Sequence, residues 1–236
     1  MNSNLLVLAL LAAPLLGAAQ VTDLTRDNGS NLNNGYAMAA ADAAGVQGTP
    51  YLLPYWAPAT LQLQRGGQPI TAPLKYDLYR QELRVKRPQG DSVVVPLAHV
   101  KKFSLTAASP AQRFVCYPAA SLPAEVHGGC AEVLYEGPHA QLLKFQRKEL
   151  VKQTGESSSY ASASTVSAFA DQLAYYLRWP ADGHLVPLRL KRASLEQALA
   201  SQPAALAALK ARKGSISTET DMATAVAAID PLLTGK

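Results

Sequence analysis

Four histidines, His99, His127, His139 and His184, are the side chains best suited to acid–base chemistry near neutral pH. Serines and aspartates accompany them, yet no spacing pairs a nucleophile with one of these bases. The Ser-rich stretch Ser157–Ser164 carries no Gly-x-Ser-x-Gly elbow. Cys116 and Cys130 are the whole thiol inventory. A metal reading would join them to His127 and His139, but it lacks a second paired ligand set. In an oxidising compartment an even pair reads instead as one disulfide, with Cys116 and Cys130 on neighbouring strands. No catalytic residue, cofactor or metal ligand is expected.

Cations are the other chemical resource, and the formal net charge is +5. Arg84, Lys86, Arg87, Lys101, Lys102, Lys144, Arg147 and Lys148 could form a basic face with Tyr79 interleaved, as single-stranded nucleic acid would require. A solvated outer face on an amphipathic sheet accounts for the same charges and fits export better. The candidate anion-binding face is Lys75, Tyr79, Arg84 and Lys86, and an anionic envelope glycolipid or polysaccharide would suit it.

These residues belong to the most strongly patterned stretch of the chain. Leu74, Tyr76 and Leu78 alternate with Lys75, Asp77 and Tyr79, and Leu83 and Val85 alternate with Arg84 and Lys86. Pairing Leu78 with Leu83 sets Tyr76 opposite Val85 on the apolar side. The same register sets Asp77 opposite Arg84, and Lys75 opposite Lys86, on the wet side. Arg87-Pro88-Gln89-Gly90-Asp91 then turns the chain, bringing Val93 beside Val85 and Val95 beside Leu83.

Further strands follow without intervening helices. Leu61 and Leu63 lead through Gly66-Gly67 to Ile70; Val100, Phe103 and Leu105 make another strand. Phe114 to Tyr117, Cys130 to Tyr135, His139 to Val151, Gln172 to Trp179 and His184 to Leu190 continue the series. The expected fold is α+β and β-dominated: an antiparallel meander, open or curled as a half-barrel, with a C-terminal cluster of short helices. Ser194 to Gln197 reads as a capping box, Pro203 opens a second helix, and Thr218 opens a third. Met222, Val226 and Ile229 share one face of that third helix.

The expected organisation has four parts. Residues 1–19 read as a signal peptide, because Leu5 to Ala13 is apolar and Gly17-Ala18-Ala19 offers small cleavage residues. Residues 20–58 form a poorly structured segment, although Gly48 to Trp56 is apolar, aromatic and expected to lie across one end of the sheet. Residues 59–190 form the β domain, with a flexible Ser-rich loop at 153–168. Residues 191–236 are helical and pack on it. No transmembrane segment remains after signal removal.

Several short motifs resemble a group of uncharacterised exported proteins of Bacteroidetes-type bacteria. They are Gly48-Thr49-Pro50-Tyr51-Leu52 ahead of Trp56, Leu74-x-Tyr76-Asp77-x-Tyr79, Glu82-Leu83-x-Val85-Lys86, Tyr175-Tyr176-Leu177-Arg178 and the helices from Ser194 to Leu233. The resemblance implies export to the periplasm, outer surface or medium; it brings no activity or cofactor. The leading functional class is a non-catalytic binding or structural module. A carrier or sensor of a lipid-like ligand in an open half-barrel comes second, and a hydrolase third. Amino-terminal sequencing of the exported protein should find Gln20 or Val21 as the first residue, and retention of Met1 would remove the case for cleavage.

Overall fold

The computed structural model describes residues 46–123, 126, 129–154 and 165–234. The expected signal segment, the turn-rich residues 20–45, His127 and the centre of the Ser-rich stretch lie outside them. Eleven strands form one sheet: β1 (Val46–Gln47), β2 (Ala57–Leu63), β3 (Ile70–Asp77), β4 (Glu82–Lys86), β5 (Ser92–Pro96) and β6 (Val100–Leu105) come first. They are followed by β7 (Gln112–Cys116), β8 (Cys130–Glu136), β9 (Gln141–Thr154), β10 (Thr165–Arg178) and β11 (Leu185–Leu188). The spatial order is β1-β10-β9-β8-β7-β6-β2-β3-β4-β5, with β11 also on β10. β1 runs parallel to β10 and the other pairings are antiparallel. The meander is broken twice: β1 lies on β10 rather than beside β2, and the chain leaves β5 and returns as β6 beside β2.

The sheet does not close, but it curls until its distant parts touch. Leu78, in the β3–β4 turn, accepts a backbone hydrogen bond from Lys148 of β9 at 3.0 Å. The chain leaving β1 reaches β3 as well: Tyr51 bridges Asp77, with Leu52 N donating to Tyr76 O and Leu78 N to Pro50 O. Period-two alternation sends Leu61, Leu74, Tyr76, Leu83, Val85, Val95, Phe103, Leu105 and Phe114 to the inner face, where they form one buried cluster. Phe103 and Phe114 stack at 4.5 Å, and the Tyr76 ring meets both edge-on.

Further along the same face the covering changes from sheet to helix. Three helices, α1 (Arg192–Ala198), α2 (Pro203–Ala211) and α3 (Glu219–Ile229), bury Leu142, Leu177 and Leu188 beneath Leu195, Leu199, Leu209, Met222, Val226 and Ile229. Thr218 caps α3 through a reciprocal box with Asp221. A third cluster, Ala131, Val133, Leu143, Phe145 and Tyr176, lies on the outer face. Leu122 and Val126 of the β7–β8 connection pack against it. The Cys116–Cys130 disulfide joins directly opposed residues at the base of that connection, with Cα atoms 3.8 Å apart.

Four expectations need correction. The β3–β4 register is two residues from that expected: Tyr76 faces Leu83, Asp77 faces Glu82, Lys75 faces Arg84 and Leu74 faces Val85. The cause is Asp77, whose Oδ1 accepts the amides of Tyr79 and Arg80 and starts the turn before Leu78. Gln81 completes it in the left-handed region, at φ 55°. A two-residue shift preserves the faces, so the β4–β5 pairing of Val85 with Val93 and Leu83 with Val95 is as expected. Asp77 is nevertheless fully buried rather than on the wet side.

Ser194 and Gln197 do not form a capping box. α1 begins earlier, at Arg192, and the Ser194 hydroxyl accepts from the Arg189 amide instead. Strand also takes both ends of the stretch expected as loop, residues 153–154 and 165–168, because β9 and β10 pair in continuous register from Arg178↔Gln141 to Thr165↔Thr154. The fourth correction concerns Lys144, which is buried rather than part of a basic outer face.

The helices meet the sheet again at the β8–β9 turn. Asp230 is buried there and accepts the His139 amide, while the Tyr135 hydroxyl hydrogen-bonds its carboxylate. A Cβ on Gly137 would lie 2.5 Å from Asp230 Oδ2 and 2.4 Å from the Tyr135 hydroxyl. Gly137→Ala should therefore lower stability by about 1–3 kcal/mol, the usual cost of overpacking. An unchanged denaturant midpoint would show that the carboxylate moves aside freely.

Candidate functional site

The expected anion-binding residues are only partly together. Lys75 and Arg84 are cross-strand partners on the outer face, and Lys86 lies two residues further along β4. Tyr79 is in the turn, where its ring packs edge-on against Phe169 of β10 at 5.4 Å. The segment 48–56 covers part of this face. The Lys75 ammonium lies 4.7 Å from the Tyr51 ring centroid and 5.6 Å from that of Trp56, both cation–π distances. Arg84 faces Glu82 at 3.5 Å. Burial raises the Tyr51 hydroxyl pKa against the pull of Arg84, and burial likewise raises Glu82. An incoming anion would have to displace aromatic rings and compete with a carboxylate.

The buried lysine marks a different constellation. Glu132, Lys144 and Tyr175 form a cross-strand row over β8, β9 and β10. Lys144 Nζ lies 2.8 Å from Glu132 Oε2 and 3.1 Å from Glu219 Oε2, at the start of α3. The Tyr175 hydroxyl donates to Glu219 Oε1 at 2.7 Å, and Gln112 Nε2 donates to Glu132 Oε1. Burial alone would lower the Lys144 pKa, but hydrogen bonds and charge from the two glutamates outweigh it and raise the value. Every member already has a partner within the fold, which makes this a clamp between strands and helix.

A groove and a cleft are open among the described residues. A groove of about 400 Å³ crosses the outer face of β2, β6, β7 and β8. The register places Thr60, Ser104 and Arg113 in one cross-strand row and Gln62, Lys102 and Val115 in the next. Lys102 and Arg113 thus stand diagonally on neighbouring strands, both exposed. Glu136 closes one end, pairing with Arg113 at 2.9 Å and accepting Gln141 Nε2. This groove was not legible in the chain, because it depends on β6 pairing with β2. Alternation around Phe114 does place Arg113 opposite the core, but it cannot supply its neighbours.

The second concavity, about 210 Å³, lies at the end of the sheet beside the helices. It gathers His139 from the β8–β9 turn, Trp179, Asp182 and His184 from the β10–β11 turn, and Ser201 from the α1–α2 turn. Two of the four histidines are therefore brought together, although 45 residues separate them in sequence. Among the described residues no three His, Cys, Asp or Glu side chains converge as a metal site.

The clamp predicts a pH response. Tyr175 is held protonated, first by burial and then by its hydrogen bond to Glu219, so its pKa rises like that of Lys144. Both groups bind protons more tightly when folded. Their stabilisation is complete below the ordinary tyrosine and lysine values of about 10 and is lost as pH climbs through the raised values. Melting temperature should fall above about pH 10, and Tyr175→Phe should make that fall shallower; an identical slope would remove Tyr175 from the cause. No protein-family model, curated protein or solved structure matches the chain.

Proposed function

We propose that the protein is an exported cell-envelope or secreted module that binds an acidic polysaccharide, without catalysis, along the outer face of its sheet. The observation that carries this reading is the groove itself, uncovered by any of the described helices and walled by Lys102 and Arg113. Lys102 suits one anionic group and Arg113, on turning from Glu136, suits a second, while Thr60, Gln62 and Ser104 offer hydrogen bonds to hydroxyls between them. The same acidic partner that the cationic stretch suggested is kept, but its docking place moves from β3–β4 to β2–β6–β7–β8.

The competing readings find less support. A lipid-like ligand would need the inner face, which Tyr76, Phe103, Phe114 and their neighbours fill. Glycoside hydrolysis ordinarily takes two carboxylates facing the bond. The groove lining offers Glu136 alone, already holding Arg113 and Gln141.

Binding to immobilised polygalacturonate should exceed binding to neutral dextran and weaken steeply with salt. Lys102→Gln with Arg113→Gln should reduce the affinity about fivefold, from roughly 0.5 kcal/mol per exposed charge pair, without changing the melting temperature. Equal retention on dextran, or salt-insensitive binding unaffected by the double substitution, would defeat the proposal.

A further inference from the structure

We infer that the cleft beside the helices is a second binding site, which takes a single neutral sugar ring. This inference stands apart from the groove and needs no charge on the ligand. The cleft is assembled from separate turns and from the C-terminal stretch, and its walls are fixed by bonds already made. Gln202 is buried and ties Thr234 to the α1–α2 turn: Nε2 donates to Thr234 O at 3.1 Å, and Oε1 accepts from Thr234 N and Oγ1 at 3.2 and 2.9 Å. Across the cleft, Trp179 N donates to His184 O, Gly183 N to Trp179 O, and His184 N to Asp182 Oδ1. The turn that carries Trp179 is thus held on both sides.

The lining selects the ligand class. The half-buried Trp179 lines the cleft, and the C–H face of a sugar ring is the natural complement of an indole. Asp182 Oδ2, which has no partner among the described residues, can accept two adjacent hydroxyls. His139 and His184 are exposed imidazoles that donate from one nitrogen and accept at the other. Ser201 adds a hydroxyl. No lysine or arginine lines the cleft, so a phosphate or carboxylate would meet Asp182 without a countercharge. An acyl chain would strip water from four polar side chains and return nothing to them. At about 210 Å³ the cleft is smaller than the roughly 300–1,000 Å³ of drug-sized sites, which suits one ring rather than an oligomer.

The chain has two tryptophans, Trp56 and Trp179, so emission can be assigned. The full chain is titrated with the methyl glycosides of glucose, galactose, mannose and N-acetylglucosamine to about 50 mM, with choline and phosphate as cationic and anionic probes. A saturable emission change with at least one glycoside is expected in the wild type and in Trp56→Phe, and it should vanish in Trp179→Phe. Asp182→Asn, on an exposed turn, should keep the fold and weaken that glycoside about threefold or more. No saturable change with any glycoside, a change that persists in Trp179→Phe, affinity untouched by Asp182→Asn, or binding of choline or phosphate alone would each overturn the inference.

Discussion

Lys144 sits where two differently filled parts of one sheet meet. On one side of it the inner face of the sheet is filled by residues of the sheet itself; on the other, helices fill it. A buried ammonium between Glu132 and Glu219 satisfies a strand carboxylate and a helix carboxylate at once. Ion pairs of this kind contribute little net energy compared with well-packed apolar groups, but removing one partner is costly because the other stays buried and charged. The clamp therefore specifies where α3 sits more than how firmly it is held. Gly137 completes that placement from the opposite end of the helix, since only a residue without Cβ lets Asp230 approach the β8–β9 turn.

Local pattern and tertiary consequence separate clearly in this chain. Alternation identified the strands from Leu61 onward, and the Gly66-Gly67 and Gly90 turns fixed their neighbours, because these signals span only a few residues. Helix α3 was legible for the same reason: Thr218 and the stripe of Met222, Val226 and Ile229 are local. The β3–β4 register failed on a single side chain. Asp77 was assigned to solvent by alternation, whereas its carboxylate caps the turn and moves the pairing by two. Lys144 failed likewise, since a lysine beside leucines and phenylalanine does not announce two distant glutamates. The return of β6 to β2 could not be read at all, and the groove depends on it.

Curling divides the sheet into surfaces with different work. Around Tyr76, Phe103 and Phe114 the inner face is committed to packing, with three aromatic rings in mutual contact and the β3–β4 turn hydrogen-bonded to β9. The outer face is covered only in part: by Tyr51 and Trp56 over Lys75, and by the β7–β8 connection over Val133 and Phe145. Between those covers it stays open, and the groove occupies that interval. The aromatic segment around Tyr51 thus has two effects. Its leucines extend the core, while its rings cover the Lys75 ammonium.

The disulfide has a consequence for how such a protein can change over evolutionary time. Cys116 and Cys130 fix the two ends of the β7–β8 connection at 3.8 Å, independently of what lies between them. The connection can then gain or lose residues without transmitting strain to β7 or β8, provided that apolar side chains such as Leu122 and Val126 still shield the outer cluster. It behaves as an exchangeable module on a fixed socket. Change in length there is decoupled from the strands that build the groove, so the rim of the outer face can be rebuilt without disturbing its floor.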